Sequence, residues 1–336
     1  MMREGGNHLS FVAGLVAALF FVSPFALPLF GQIAFPICTL PLLGVGIRYG
    51  WHGLSMALAS AALLLCGVAL TGELAPVGLG GLLFGFILTI GAPACLMALS
   101  YRHFHPAYPM LYRAEFQVLI PLVWGILVFF TLVMLAPFNN APTLPTQFYN
   151  AFLPMVNEFA QDVTKLAGPN SGMPALDAAE MTRAVVNQLP TVTLLMFALM
   201  HVFNLLFAHW LLVRQHLPDV RPFPDLGQFG FGRVFSAGFI AALGLFWWYT
   251  QTDEMYGAFY TGPLVILFGL PLAIQGASVL HAHLRKKLAR WPMFSVYGAL
   301  LLGMIVMPLL CSLLLIVTGM VDQWWPLRPT AEHTQP

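Results

Sequence analysis

Charged side chains are scarce in this sequence. Asp, Glu, Lys and Arg make up only 8% of its 336 residues, against about 25% in an ordinary soluble domain. Hydrophobic residues account for 59%, which is far more than a water-facing surface tolerates. The composition therefore predicts an integral membrane protein whose main partner is the lipid bilayer, and we expect no nucleic-acid partner.

Motifs of common enzyme classes are also missing. The sequence contains no G-x-x-x-x-G-K-[ST], H-E-x-x-H or G-x-S-x-G pattern, so an ATPase, a dehydrogenase and a serine hydrolase are poor assignments. His281 and His283 are two residues apart, which turns them about 200° from each other on a helix and prevents joint chelation. His103 and His105 have no visible third ligand. We therefore expect no enzymatic activity, no cofactor and no metal site.

Apolar segments of about 18 residues or more recur along nearly the whole chain, and each is long enough to cross a bilayer as a helix. Because lipid offers no hydrogen bonds to an exposed backbone, the predicted fold class is all-α, a polytopic transmembrane helical bundle. Its eight or nine spans are expected near residues 9–30, 33–47, 52–71, 76–99, 115–137, 190–213, 233–250, 258–284 and 293–320. The second segment is short and rich in proline and glycine, so a tilted span, a broken helix and a re-entrant segment are all open.

The distribution of basic residues predicts the orientation. With the N-terminus inside and nine spans, 11 of the 14 Lys and Arg residues fall on the cytoplasmic side, as the positive-inside rule requires. Nine of the 13 acidic residues fall on the opposite side. The sequence is thus interpreted as a multi-pass protein of a bacterial cytoplasmic (inner) membrane with a cytoplasmic N-terminus.

One segment, 138–189, is long enough to form an extracytoplasmic loop. Apolar residues recur in it at three- and four-residue spacing from Phe148 to Leu166, and polar residues occupy the other side, which predicts an amphipathic helix. A second, shorter helix is expected over about 174–189, after a turn at Gly168 to Gly172. The pair either rests on the outer lipid surface or covers a cavity that opens to the outside.

A few polar residues lie deep within predicted spans, where each must find a partner. His201 lies near the middle of the 190–213 span, and Asn204 follows it by about one turn on an adjoining face. Gln275 lies at the same distance from the inner end of its span as Asn204, about 14 Å at 1.5 Å per residue, and Thr89 lies at a similar depth. These four residues either join helices by hydrogen bonds or form the polar part of a substrate pocket.

No Asp, Glu, Lys or Arg falls near the middle of a predicted span. Carriers driven by protons or sodium generally need such groups, so a carrier of this kind would depend on a partner. Small residues at four-residue spacing, such as Ala13 and Ala17, allow close helix packing, either internally or against a partner. The segment from Arg48 to Gly53 lies between two apolar runs and predicts a tight cytoplasmic turn at Gly50 and Gly53.

Short motifs give the chain two resemblances. FPICTLPLLGVGIRYGWHGLSMALAS near the start, the Gln275-Gly276 pair, and GMVDQWWPLR near the end, with Gly319, Asp322, Trp324 and Arg328, resemble the YybS-like family of predicted bacterial membrane proteins. That family has no known function. The resemblance implies a membrane protein and names no substrate.

Residues 9–137 also resemble the membrane-embedded substrate-binding subunits of energy-coupling-factor vitamin transporters. In that family a small-residue pair in the first helix docks onto a transmembrane coupling protein that works with an ATPase, and Ala13 and Ala17 are the matching positions. Gly50 and Gly53 match the G-x-x-G turn of the same family. The resemblance ends beyond residue 137, because this chain adds an outer helical loop and several more spans.

Together these observations predict one integral membrane domain over 1–336. Its parts are transporter-subunit-like helices at 9–137, the helical loop at 138–189 and further transmembrane helices at 190–336. The favoured hypothesis is a protein that binds or transports a small molecule with a partner's help, through His201, Asn204, Gln275 and Thr89. The alternative is a non-transporting scaffold that recruits other membrane proteins; an intramembrane enzyme using His201 would lack a second catalytic group.

Overall fold

A computed structural model describes residues 2–72, 78–102, 114–135, 142–167, 177–215, 227, 229–252, 256–287 and 290–328 of the chain. Within these ranges the chain is helical and contains no strand, which confirms the predicted all-α fold. The helices are α1 (Met2–Ala26), α2 (Pro28–Ala34), α3 (Leu40–Leu70), α4 (Gly78–Phe86), α5 (Ala92–Arg102), α6 (Ala114–Leu135), α7 (Leu144–Ala167), α8 (Ala178–Arg214), α9 (Val234–Gln251), α10 (Gly257–Lys287), α11 (Arg290–Val306) and α12 (Pro308–Trp324).

Helices long and apolar enough to cross a membrane recur along the described chain. Length and composition identify six such stretches there: Gly6–Ala26, Pro28–Leu70, Gly78–Tyr101, Glu115–Leu135, Ala178–Arg214 and Gly257–Lys287. The shorter apolar helix Pro308–Trp324 accompanies them. This agrees with the predicted transmembrane bundle, because the stretch from Pro28 to Leu70 contains two of the predicted spans.

The predicted turn lies inside α3. Gly50 has φ 68° and ψ −150°, a backbone conformation that divides α3 into two helical parts and that residues with a Cβ rarely adopt. A Cβ built on Gly53 would lie 3.2 Å from the carbonyl oxygen of Val45, although a straight helix separates residues eight apart by about 12 Å. The chain therefore turns back on itself at Gly50.

The chain forms two compact units. Unit 1 comprises Met1–Trp124 and Phe197–Pro224, and unit 2 comprises Gly125–Met196 and Asp225–Pro336. Helices α6 and α8 contribute residues to both. The unit boundaries thus fall inside these two helices, whereas the sequence-based division placed boundaries at 137 and 190.

Close backbone packing of α1 against α3 organises unit 1. A Cβ on Gly14 would lie 1.8 Å from the carbonyl oxygen of Ala57, so only glycine fits there. Ala17 and Ala61 are fully buried at the same contact, and the Ser60 hydroxyl donates a hydrogen bond to the Phe11 carbonyl across 2.8 Å. The small-residue stripe of α1 is therefore used for packing within unit 1.

Helices α10 and α12 meet in the same way in unit 2. A Cβ on Gly276 would lie 1.9 Å from the carbonyl oxygen of Leu315, and one on Gly319 would lie 2.1 Å from that of Leu272. Each helix thus offers a glycine to a backbone carbonyl of the other. This close approach lets Gln275 of α10 donate to Asp322 Oδ2 of α12 across 2.8 Å.

Helix α8 corrects the sequence-based boundaries. A short helix over about 174–189 and a separate span over 190–213 were predicted. Instead α8 continues through Pro190 from Ala178 to Arg214. At 1.5 Å per residue it is about 55 Å long, longer than the hydrocarbon core of about 30 Å. Its start is capped by Asp177, whose Oδ1 accepts from the Ala179 N–H across 2.8 Å.

The prediction of one continuous span over 293–320 is wrong, because the structure has two helices there. Helix α11 ends at Val306, Met307 adopts φ −135° and ψ 63°, and α12 begins with Pro308. Proline at the first position of a helix needs no backbone partner, so this sequence starts a new helix. The break is sharp, since a Cβ on Gly303 would lie 2.9 Å from Cys311 Sγ.

The amphipathic helix predicted in the 138–189 loop is present as α7. Lys165 and Asp162 form an exposed ion pair of 3.3 Å on its polar side. Met155, Phe159 and Leu166 remain exposed on the apolar side. The predicted turn at 168–172 and the pair His103 and His105 lie outside the described residues.

Candidate functional site

His201 lies in the interior of unit 1. Its side chain is fully buried, and its Nδ1 lies 2.8 Å from the carbonyl oxygen of Phe197, one turn earlier on α8. The rings of Phe197 and His201 pack at 4.3 Å between centroids. Nε2 has no hydrogen-bond partner in the described part of the chain, although buried polar atoms are normally paired.

The helix next to His201 contains a π-helical turn, Ile87–Gly91, between α4 and α5. Such turns leave backbone groups without their usual helical partners and often mark functional sites. Here the Leu88 carbonyl accepts a hydrogen bond from Trp124 Nε1 across 2.8 Å. The Thr89 hydroxyl donates to the Gly85 carbonyl across 2.7 Å. The Thr89 backbone approaches the His201 ring, outside hydrogen-bond geometry for Nε2.

Asn204 follows one turn after His201 and is also fully buried. Its Nδ2 donates to the Pro36 carbonyl across 2.7 Å and to Thr39 Oγ1 across 2.5 Å. Both acceptors lie in the short non-α segment between α2 and α3, where a 3-10 turn covers Phe35–Ile37. The proline-rich break in the second predicted span thus supplies partners for Asn204, whose Oδ1 has none among the described residues.

The structure therefore brings three of the four predicted substrate-binding residues into unit 1: His201, Asn204 and Thr89. Sequence reasoning missed Pro36, Thr39 and Trp124 as their partners. The threonine and the tryptophan were detectable as polar groups inside the predicted spans 33–47 and 115–137. The Pro36 carbonyl had no sequence signal.

Gln275, the fourth predicted residue, lies in unit 2 and has partners at both ends of its amide. Its Oε1 accepts from the Phe231 N–H across 3.0 Å and from Gln323 Nε2 across 3.2 Å. Its Nε2 donates to Asp322 Oδ2 across 2.8 Å. Through these bonds Gln275 connects α10 with α12 and with the segment before α9. That Gln275 and Asn204 lie at the same depth in the membrane stays a prediction.

Asp322 and Arg328 belong to the same hydrogen-bonded cluster as Gln275. The side chain of Asp322 is only 5% exposed, and its Oδ2 lies 3.0 Å from Arg328 Nη2. Arg328 also donates to the carbonyl oxygens of Gly227 and Phe229. The sequence had singled out Asp322 and Arg328 only as carriers of a family resemblance, and Gln275 also as a deep polar residue; the structure joins all three in one hydrogen-bonded cluster.

The predicted partner-binding residues are largely internal. Ala17 is fully buried, Ala13 packs partly against the core of unit 1, and Gly50 and Gly53 are buried at the turn. Beside that turn, the exposed Arg48 donates to Gln215 Oε1 across 3.2 Å. The small-residue positions therefore hold the helices of unit 1 together in this conformation.

The fold and the buried polar site define a polytopic helical membrane protein, some of whose interior polar atoms have no partner in the part of the chain that the structure describes. The chain belongs to the family described as Predicted membrane protein (DUF2232), whose model matches residues 15–323. No curated protein and no solved structure matches the chain. The family description assigns no activity, so the geometry of the site carries the functional argument.

Proposed function

We propose that this protein binds a small molecule at His201 and Asn204 and transports it with the help of a partner. The observation that carries the proposal is that two fully buried side chains, His201 and Asn204, each have a polar atom, Nε2 and Oδ1, with no hydrogen-bond partner among the described residues. Leaving such an atom unpaired in a protein interior costs about 1–3 kcal/mol. A ligand that bonds to both atoms recovers that energy.

The contrast with unit 2 supports this assignment. There Gln275, Asp322 and Arg328 bond to one another and to backbone groups, as residues that only join helices should. In unit 1 the partners of Asn204 satisfy its amino group, and its oxygen has no partner within the described ranges. The two polar clusters therefore differ in the hydrogen-bond acceptors that they leave for a ligand.

The finer parts of the proposal come from the sequence. The distribution of basic residues favours a bacterial inner membrane with a cytoplasmic N-terminus, and the late-chain motifs favour a YybS-like protein. The lack of charge within the predicted spans requires an external energy source. The resemblance of residues 9–137 to energy-coupling-factor subunits favours a membrane coupling protein with an ATPase as that source.

The test is purification from native membranes in mild detergent, with mass spectrometry of bound small molecules and co-purifying proteins. We expect one stoichiometric metabolite in the parent chain and its loss from the near-isosteric variants Asn204→Leu and His201→Phe. Thr182→Val is the matched control, because Thr182 is also fully buried on α8 and its hydroxyl donates to the Ala178 carbonyl one turn earlier on the same helix. The control should retain the metabolite.

Two results would contradict the proposal. Absence of any metabolite from the parent chain, with recovery of other membrane proteins, would favour a scaffold. Equal retention of a metabolite by Asn204→Leu, His201→Phe and the control would place binding elsewhere in the chain.

A further inference from the structure

Two arginines from distant parts of the sequence meet at one end of unit 1. Arg48 lies two residues before the turn at Gly50, and Arg214 is the last residue of α8. Both side chains are exposed. Arg48 Nη1 donates to Gln215 Oε1 across 3.2 Å, and Gln215 directly follows Arg214 in the chain. The fold thus brings a second guanidinium group to the end of α8.

An aromatic ring packs against each guanidinium group. The Cζ atom of Arg214 lies 4.3 Å from the centre of the Trp210 ring, and the Cζ atom of Arg48 lies 5.1 Å from that of the Tyr49 ring. A cation over the face of an aromatic ring within about 6 Å is attracted to it. A stacked guanidinium group still presents N–H donors in its plane that match the oxygens of a phosphate. In the described part of the chain Arg214 forms no ion pair, so no carboxylate there competes for its donors.

An aromatic stripe, formed by the exposed rings of Phe203, Phe207 and Trp210, runs along α8 and ends at Arg214. The Phe203 and Phe207 rings stack at 6.3 Å and 11°, and the Phe207 and Trp210 rings stack at 5.5 Å and 15°. From Phe203 to Arg214 the helix rises about 16 Å at 1.5 Å per residue. Half of the hydrocarbon core is about 15 Å thick, so the stripe has the length of one lipid leaflet.

We infer that unit 1 binds an anionic phospholipid here, with its phosphate at Arg48 and Arg214 and an acyl chain along the aromatic stripe. Guanidinium groups form strong, charge-assisted hydrogen bonds to phosphate oxygens. Basic residues at a membrane surface attract anionic lipids, and two such residues together strengthen that preference. The stacked rings offer a continuous apolar surface to the acyl chain. This site is separate from the proposed function, because it is built from exposed side chains and its ligand is a component of the bilayer.

Site-specific photocrosslinking tests this inference. The full chain carries p-benzoylphenylalanine in place of Phe207, at the middle of the stripe, and is reconstituted into vesicles of equal amounts of phosphatidylglycerol and phosphatidylcholine. Mass spectrometry after illumination gives the ratio of the two lipid adducts. We expect an excess of phosphatidylglycerol of about tenfold. The same label in place of Phe25, an exposed residue of α1, should capture the two lipids equally.

Two paired substitutions separate this site from the overall charge of the protein. Arg48→Gln combined with Arg214→Gln should abolish the excess of phosphatidylglycerol at Phe207. Lys286→Gln combined with Lys287→Gln is the matched control, because it removes the same charge from exposed residues at the end of α10. The control should keep the excess.

Trp210→Leu removes the ring that packs against Arg214 and keeps both arginines, so it should reduce the excess by a smaller factor. Equal capture of the two lipids at Phe207 would overturn the inference. So would an excess that survives the paired arginine variant, or one that the paired lysine variant abolishes as well. Capture of a second copy of the chain at Phe207 would assign the stripe to a protein interface and would also overturn it.

Discussion

Replacing Gly276 with alanine should force α10 and α12 apart. The added Cβ would lie 1.9 Å from the carbonyl oxygen of Leu315 and 3.0 Å from its Cα. Ordinary contact begins at 3.4 Å, so the backbone of α12 must move by about 1.5 Å. No side-chain rotation relieves the contact, because the obstructing atoms belong to the backbone.

The expected cost is about 1–3 kcal/mol, the usual range for overpacking a well-packed interior. Alanine is intrinsically better than glycine in a helix by about 0.5–1 kcal/mol, so the clash must also overcome that gain. Gly244→Ala in α9 measures the helix preference of alanine over glycine without a clash, because a Cβ there meets nothing within 4 Å. The difference between the two variants measures the α10–α12 contact.

Unfolding by SDS titration in detergent micelles, followed by far-UV circular dichroism, supplies the free energies. We expect Gly244→Ala to equal or exceed the parent chain in stability and Gly276→Ala to unfold at lower SDS. Equal stability of the two variants would refute the close α10–α12 packing. Gly319→Ala, which approaches the Leu272 carbonyl from the other helix, should behave like Gly276→Ala.

Three further changes test other parts of the structure. Arg328→Ala should lower stability by about 3 kcal/mol in the same titration, because it leaves the buried Asp322 carboxylate without its charge partner; Arg328→Lys should lose less. Asp177→Ala should cost about 1 kcal/mol by removing the cap of α8, also measured by SDS unfolding. Spin labels at Phe159→Cys and Glu158→Cys, in a cysteine-free background, should differ in oxygen accessibility, with Phe159 in the lipid interface. Equal accessibility would contradict that placement.

Most of the architecture follows from hydrophobic patterning. Long apolar runs predict membrane-crossing helices because a lipid-exposed backbone must satisfy its own hydrogen bonds. The turn at Gly50 was predictable because glycines and Arg48 interrupt an apolar run, and Gly50 does adopt a positive φ. Local composition carries this information, so the sequence alone suffices.

The sequence-based helix boundaries are wrong near two prolines, Pro190 and Pro308. A boundary was predicted between residues 189 and 190, yet α8 continues through Pro190, as helices in membranes tolerate when neighbouring groups satisfy the freed carbonyl. Pro308 begins a helix after the break at Met307, although the apolar run around it appeared continuous. Whether a proline interrupts, kinks or starts a helix depends on tertiary neighbours that the local sequence does not contain.

The site was partly predictable for a similar reason. His201 and Asn204 stand out because polar side chains at that depth are costly. The carbonyl of Pro36 has no such signal, since every residue has a carbonyl and only the break between α2 and α3 exposes this one. Which buried polar atoms find a protein partner therefore depends on backbone geometry as well as on side-chain type.

Residues of similar appearance in the sequence accordingly receive different roles. Gln275 and Asn204 are both deep amides, but Gln275 is bonded at both ends to groups of unit 2, whereas Asn204 Oδ1 has no partner in the described chain. Replacing both atoms of a bonded amide removes only helix-joining contacts, while replacing Asn204 removes an acceptor that nothing in the described chain uses. We therefore expect Gln275→Leu to lose stability and keep the ligand, and Asn204→Leu to lose the ligand together with the stability that its bonds to Pro36 and Thr39 supply.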